Sequence, residues 1–338
     1  MRFLLCFFLL LGHLQAMSKA PKSSVLAENI GVHTVQYEDA KRKRPILVEI
    51  WYPTQMNGPE DRPEDPIWIH PKEIRDVPIA EGKFPLIVMS HGHNGDRRDR
   101  SWLVEYLVKN GFIVASVEHY GNSWRSYNPL ITIRFWERAR DISFAISELT
   151  RDPLLKKKIA PGKIGFVGYS LGGLTGLTLA GARQSNIKQI AMKYMKQFQE
   201  FAGIAPEALE KTDFSEGYGD FRDPRIKAMA LLSPAFFAIT PESLQKVKLP
   251  IALVASEDDE VLPHDEHALP IVKYLRPAKL KLFKDKVSHF VFLNRVSSVG
   301  KELLSPEIQT ESIQTDRVKI HEEVGSFLTS FFKEYLYP

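Results

Sequence analysis

The chain has one cysteine in 338 residues, Cys6, and it stands in the first ten positions. Beyond that segment a disulfide framework, a cysteine nucleophile and cysteine-ligated zinc are all excluded. Long apolar runs are missing too: residues 3–11 form the one unbroken stretch, too short for a comfortable membrane span. Net charge is only +4, and the sole dense basic runs are Lys41-Arg42-Lys43-Arg44 and Lys156-Lys157-Lys158. Nucleic-acid binding wants a basic patch interleaved with aromatics, so both runs are read as solvated loops and no nucleic-acid partner is expected. His91 and His93 lack a third ligand at metal spacing, so no metal site is expected. Gly165 and Gly168 surround a serine rather than opening a dinucleotide fingerprint, so no cofactor is expected either. No internal repeat or low-complexity tract is present.

The first residues carry the pattern expected of an export signal. Met1-Arg2 supplies positive charge, residues 3–11 the apolar region, and Leu14-Gln15-Ala16 a small residue at a cleavage position. Residues 1–16 therefore read as a secretory signal peptide, with a retained anchor as the alternative. The expected location is periplasmic or secreted, since an exported chain without disulfides suits a bacterial enzyme whose core suffices by itself. The remainder, 17–338, is read as one domain; the whole sequence is 44% hydrophobic and 25% charged, ordinary for a globular core.

From about residue 84 strand-like and helix-like segments alternate. Strands are predicted over 84–90, 112–117, 163–167, 226–232, 250–255 and 279–283, with helices starting near Trp102, over 134–149, after Ser170 and over 313–336. This rhythm predicts a mostly parallel sheet covered on both faces. Residues 34–37 and 46–51 read as an antiparallel pair at one sheet edge. Residues 183–222 break the rhythm with Ile187, Ile190, Tyr194, Phe198 and Phe201 at helical spacing, and are expected to form an inserted helical lid.

The chemistry centres on Gly168-Tyr169-Ser170-Leu171-Gly172-Gly173. An apolar run ending in glycine precedes it and a helical pattern follows, so Ser170 reads as a nucleophile on a sharp strand-to-helix turn. Such a turn crowds the positions two residues away on either side, where Gly168 and Gly172 stand. A serine needs a base and the base an orienting acid, in the chain order Ser, acid, His. His289 is the candidate base, on a loop after the last predicted strand. Asp259 is the candidate acid, with Asp258 the runner-up in Ser256-Glu257-Asp258-Asp259-Glu260. For the oxyanion, the Leu171 N–H and the His93 N–H of the His91-Gly92-His93-Asn94-Gly95 loop are the expected donors.

These residues resemble the α/β-hydrolase superfamily, and within it the predicted dienelactone-hydrolase group and the platelet-activating-factor acetylhydrolase-like esterases. The resemblance rests on Ile50-Trp51-Tyr52-Pro53, Ser90-His91-Gly92, Glu118-His119-Tyr120-Gly121-Asn122, Arg140-Asp141, the Ser170 elbow, Phe221-Arg222-Asp223-Pro224-Arg225-Ile226-Lys227 and Ser288-His289-Phe290. It implies an α/β-hydrolase fold and a serine carboxylic-ester hydrolase acting on small-molecule or lipid esters, short-acyl phospholipids among them. Two departures qualify it. Dienelactone hydrolases proper use cysteine where this chain has Ser170, and the acetylhydrolases carry their acid after the preceding strand, where this chain reads Leu232-Ser233-Pro234. The alternatives are a catalytically silent binding protein on the same fold, and an interfacial lipase whose lid helix makes transient membrane-surface contact.

Overall fold

The computed structural model describes residues 28–61, 65–197, 206–275, 278–284, 286–309 and 316–337. The expected signal segment 1–16, Cys6 within it, and Phe198 and Phe201 of the expected lid lie outside the described residues.

Among the described residues eleven strands occur in chain order: β1 (Asn29–Asp39), β2 (Arg44–Thr54), β3 (Trp68–Ile69), β4 (Ile74–Arg75), β5 (Phe84–Ser90), β6 (Ile113–Glu118), β7 (Ile159–Tyr169), β8 (Ile226–Leu232), β9 (Ile251–Ser256), β10 (Ala278–Phe283) and β11 (Arg295–Val296). Nine of them form one sheet in the order β10-β9-β8-β7-β5-β6-β2-β1-β4, while β3 and β11 pair separately. From β10 to β6 every neighbouring pair is parallel; β2 then runs antiparallel to both β6 and β1. The antiparallel pair expected from residues 34–37 and 46–51 is thus present, with the two-residue β4 beyond it at the edge.

Side-chain alternation along the buried strands sends residues to two cores. Leu86 and Val88 of β5 pack on one face, with the helices Trp136–Leu149 and Leu171–Leu179; Ile87 and Met89 pack on the other, with Ser101–Lys109 and Arg317–Leu336. Each fully buried aliphatic side chain contributes about 1.5–3 kcal/mol, so covering both faces explains why these strands read as continuous apolar runs. β7 begins four residues earlier than the apolar run 163–167, because a register shift between Phe84 and Leu86 lets Ile159 pair with Phe84 before Ile164 pairs with Leu86.

The segment 183–222 lies between the helix Leu171–Leu179 and β8, as expected. Its described parts are the helices Ile187–Gln197 and Pro206–Glu210 and a 3-10 turn at Ser215–Tyr218. Ile187, Leu209 and Phe214 are buried in the first core, and the Phe214 ring meets that of Trp136 edge-on, 6.0 Å between centroids. The described part around Phe214 is therefore docked on the start of the helix Trp136–Leu149.

One charged run departs from its expected role. Arg42 and Arg44, read as solvated loop residues, turn inward at the β1–β2 hairpin. Arg44 grips both carboxylate oxygens of fully buried Asp141, at 2.9 and 2.8 Å, and Arg42 reaches Asp39, Glu137 and Asp141. A planar guanidinium satisfies a buried carboxylate in this bidentate way where a solvated loop charge gains little. Among the described residues no helix is long and apolar enough to cross a membrane.

Candidate active site

Ser170 stands where β7 gives way to the helix Leu171–Leu179, with φ 54° and ψ −116°. A non-glycine residue held there is strained, and the strain is retained because its neighbours over-determine it. The Ser170 N–H donates to the Leu232 carbonyl at 3.0 Å, and its own carbonyl accepts from Gly173 and Ala235 at 2.8 and 2.9 Å. A Cβ on Gly168 would collide with the Gly172 carbonyl oxygen, and one on Gly172 with the Ser90 carbonyl oxygen. Both expected glycine positions are therefore close approaches of backbone to backbone. Ser170 itself is half-buried.

The candidate acid and base meet. His289 opens a short turn, His289–Phe292, after β10, and its Nδ1 lies 2.8 Å from Asp259 Oδ2; both residues are buried. An ionised carboxylate only accepts, so His289 Nδ1 carries the hydrogen and Nε2 is left to act as base. Asp259 Oδ1 accepts from the Val261 and Leu262 N–H groups at 3.1 and 2.7 Å. Burial pushes the Asp259 carboxyl up, but the His289 hydrogen bond and charge and the Leu262 N–H outweigh it, leaving the group below the ordinary carboxylate range. Asp258 is exposed, and Ser256 Oγ accepts from its N–H. Ser233, at the place where acetylhydrolases carry their acid, is buried with φ 38°.

Several residues that sequence reasoning passed over hold the histidine turn. Glu260 accepts from Ser288 Oγ at 2.8 Å and from the His289 N–H at 3.1 Å. Three side chains donate to the turn's carbonyls: Tyr169 to His289 at 3.2 Å, His321 Nε2 to Val291 at 2.7 Å and Trp102 Nε1 to Phe292 at 2.9 Å. His321, on the helix Arg317–Leu336, stacks flat on Trp102 with 3.9 Å between ring centroids. The Tyr169 ring also lies against the His289 ring, 5.0 Å between centroids. Tyr169 was visible inside the elbow motif; the other donors come from distant elements and left no local signal.

The His91-Gly92-His93 loop follows β5 and abuts the elbow: a Cβ on Gly92 would lie 3.1 Å from the Tyr169 ring and 3.3 Å from Ser170 Cβ. His91 is buried and is a structural group. Its Nδ1–H donates to the Gly92 carbonyl at 2.7 Å, while Nε2 accepts from the His119 N–H at 3.0 Å, so both partners impose one neutral tautomer. Burial, with the Arg138 charge, holds it well below the usual imidazole range. His93 is exposed; its Nδ1 lies 3.3 Å from Asn122 Nδ2 and its ring meets Tyr127 edge-on. Leu171 opens the helix after Ser170 and is nearly buried. The described residues contain no group of three His, Cys, Asp or Glu side chains able to hold a metal ion.

Comparison with known proteins bears on this arrangement. The family model for platelet-activating factor acetylhydrolase, isoform II, matches residues 75–128. That stretch holds β5, the His91-Gly92-His93 loop and β6, but none of Ser170, Asp259 or His289. A search of curated proteins gives no match. Among solved structures, a ferulic acid esterase from Streptomyces cinnamoneus is similar at a TM-score of 0.61 and 19% identity, over 94% of this chain and 92% of that one. With the mostly parallel sheet, the flanking helices and the strained serine at a strand-to-helix turn, the likeness over nearly the whole length shows that this chain has the α/β-hydrolase fold.

Proposed function

We propose that the chain is an exported serine hydrolase of carboxylic esters. The observation that carries the reading is the His289–Asp259 pair, buried and bonded at 2.8 Å, beside the Tyr169 ring that immediately precedes strained Ser170. Ser170 Oγ attacks the ester carbonyl as His289 Nε2 takes its proton, and Asp259 stabilises the imidazolium that forms. The Leu171 and His93 N–H groups receive the negative charge on the carbonyl oxygen. Collapse of the tetrahedral intermediate breaks the ester bond, and His289 returns its proton to the departing alcohol. Water then attacks the acyl carbon as His289 takes its proton, and His289 gives that proton to Ser170 Oγ as the acyl–oxygen bond breaks and the acid leaves, restoring the free enzyme. The family-model match across the His91-Gly92-His93 loop, and the esterase among similar structures, support this class of reaction.

The favoured substrates are esters with an apolar acyl or alcohol part, short-acyl phospholipids included, selected by the segment 183–222. The apolar residues 3–11 behind a basic start support export. Nitrophenyl esters of graded acyl length, run beside acetylated phospholipids, test the reading. Turnover by the wild-type protein and a fall of about 10⁴-fold or more in Ser170→Ala are expected. Undiminished turnover by Ser170→Ala overturns it, and no turnover of any ester by folded protein favours a silent binding protein.

A further inference from the structure

Arg138 lies on the helix Trp136–Leu149, wholly buried, and among the described residues no carboxylate pairs with it directly. A buried guanidinium without an adjacent carboxylate is costly, so the structure around it has to satisfy its fork of donors. It does so with four acceptors from three places: the adjacent Ser90 Oγ at 3.2 Å and His91 carbonyl, the Asn122 side-chain oxygen and Thr175 Oγ1 at 3.2 Å. Its charge is balanced at a distance. Ser90 Oγ–H donates to His119 Nε2 at 2.8 Å, and His119 Nδ1–H donates to Asp141 at 3.0 Å, the carboxylate that Arg42 and Arg44 hold from the far side.

Two of the four acceptors lead to the backbone that carries the two expected oxyanion donors, one of them to the Leu171 carbonyl, in the peptide just after the Leu171 N–H. Thr175 Oγ1, which accepts from Arg138 Nε, donates in turn to the Leu171 carbonyl at 3.1 Å, across the first turn of the helix that Ser170 precedes. On the other side, Arg138 holds the His91 carbonyl, and the His91 ring holds the next carbonyl, that of Gly92. In a trans peptide the N–H points opposite to the C=O. Fixing the Gly92 carbonyl therefore fixes the direction of the His93 N–H, and fixing the His91 carbonyl fixes the peptide before it.

We propose that Arg138 is a positioning residue for the oxyanion hole, setting the Leu171 turn and the His93 N–H relative to one another through a single buried guanidinium. This rests on the serine-esterase reading above. A lysine carries the charge but not the planar fork, so Arg138→Lys should fail almost as fully as Arg138→Gln.

The test counts competent sites by the nitrophenolate burst of a nitrophenyl phosphonate and reports kcat per titrated site. Arg138→Lys and Arg138→Gln are expected to lose about 10²-fold in kcat per site, with KM within about threefold of wild type. A trifluoromethyl ketone, which forms the tetrahedral adduct, should lose affinity by the same factor, whereas the matching methyl ketone should not. Thr175→Val, a milder change, should lose about 10-fold per site. A merely structural arginine would lower the number of titrated sites and the melting temperature and leave kcat per site alone; that result overturns the proposal. Should neither Arg138 variant fold, wild-type kcat per site in Thr175→Val overturns it instead. Failure of the underlying reading is a separate observation, made with the wild-type arginine in place: activity retained in Ser170→Ala.

Discussion

Tyr169, the residue immediately before the strained Ser170, donates its phenolic hydrogen to the carbonyl of His289 at 3.2 Å. The elbow and the histidine turn come from elements 120 residues apart, and this bond sets the distance between them. Burial holds the Tyr169 hydroxyl well above its ordinary range, so it remains a donor at every working pH. Fully buried Arg100 lies over the Tyr169 ring, its guanidinium carbon 5.1 Å from the ring centroid.

Tyr169→Phe keeps the ring against His289 and deletes the bond. The expected loss is about 1 kcal/mol of stability, with kcat reduced by roughly 3–10-fold and KM unchanged. Urea unfolding and steady-state kinetics on one ester check both; a variant indistinguishable from wild type in each would show that the bond sets nothing.

Two neighbouring carboxylates give a sharper contrast. Asp259→Asn leaves the shape but permits the wrong imidazole tautomer, and kcat should fall by about 10³–10⁴-fold. Asp258→Asn, on the exposed side of the same loop, should stay within about twofold of wild type. Comparable losses in the two variants would remove the assignment of the acid.

These contrasts also mark what was legible in the sequence. The elbow was legible because backbone crowding leaves only glycine at Gly168 and Gly172, and steric demands of that kind write themselves locally. The strand β8 was legible over its full length, since burial on both faces leaves an apolar run with a sharp end at Ser233. The two-residue strands β3, β4 and β11 were not, because nothing but tertiary pairing defines them. The partners of Arg42, Arg44 and Arg138 were likewise invisible. A basic run looks the same whether it faces water or a buried aspartate 97 residues further on, as Arg44 does. The candidate acid and base could be named from their order after the last strands, but Glu260, Tyr169 and Trp102 act through backbone atoms of the histidine turn, for which no residue pattern exists.

Buried neutral histidines predict how stability depends on pH. Burial, the largest cause in each case, holds His70 down to about 4, and His119 and His321 down to about 3, against about 6.5 for a free imidazole. The Arg98 charge adds to the effect at His70 and the Arg138 charge at His119, while at His321 the Val291 carbonyl partly opposes it. The folded pKa lies below the unfolded one, so the unfolded chain takes up protons first as pH falls. The stability these groups provide is complete above about pH 6.5 and is lost as pH falls from there towards the folded values. Each histidine adds a slope of up to about 1.4 kcal/mol per pH unit within that window. His321→Gln retains a donor for the Val291 carbonyl but cannot titrate, so its urea-unfolding free energy should fall less steeply between pH 6 and 4 than that of wild type. Parallel curves would contradict the assignment of His321 as a neutral buried imidazole.

The central claim is that Ser170 becomes acylated, and an ethoxy fluorophosphonate tests it most directly. One phosphonyl group per chain is expected, mapped by peptide mass to Ser170, accumulating in step with the loss of ester hydrolysis and absent from Ser170→Ala. Ester hydrolysis that survives with Ser170 unlabelled, or inactivation with the label at another residue, would contradict it.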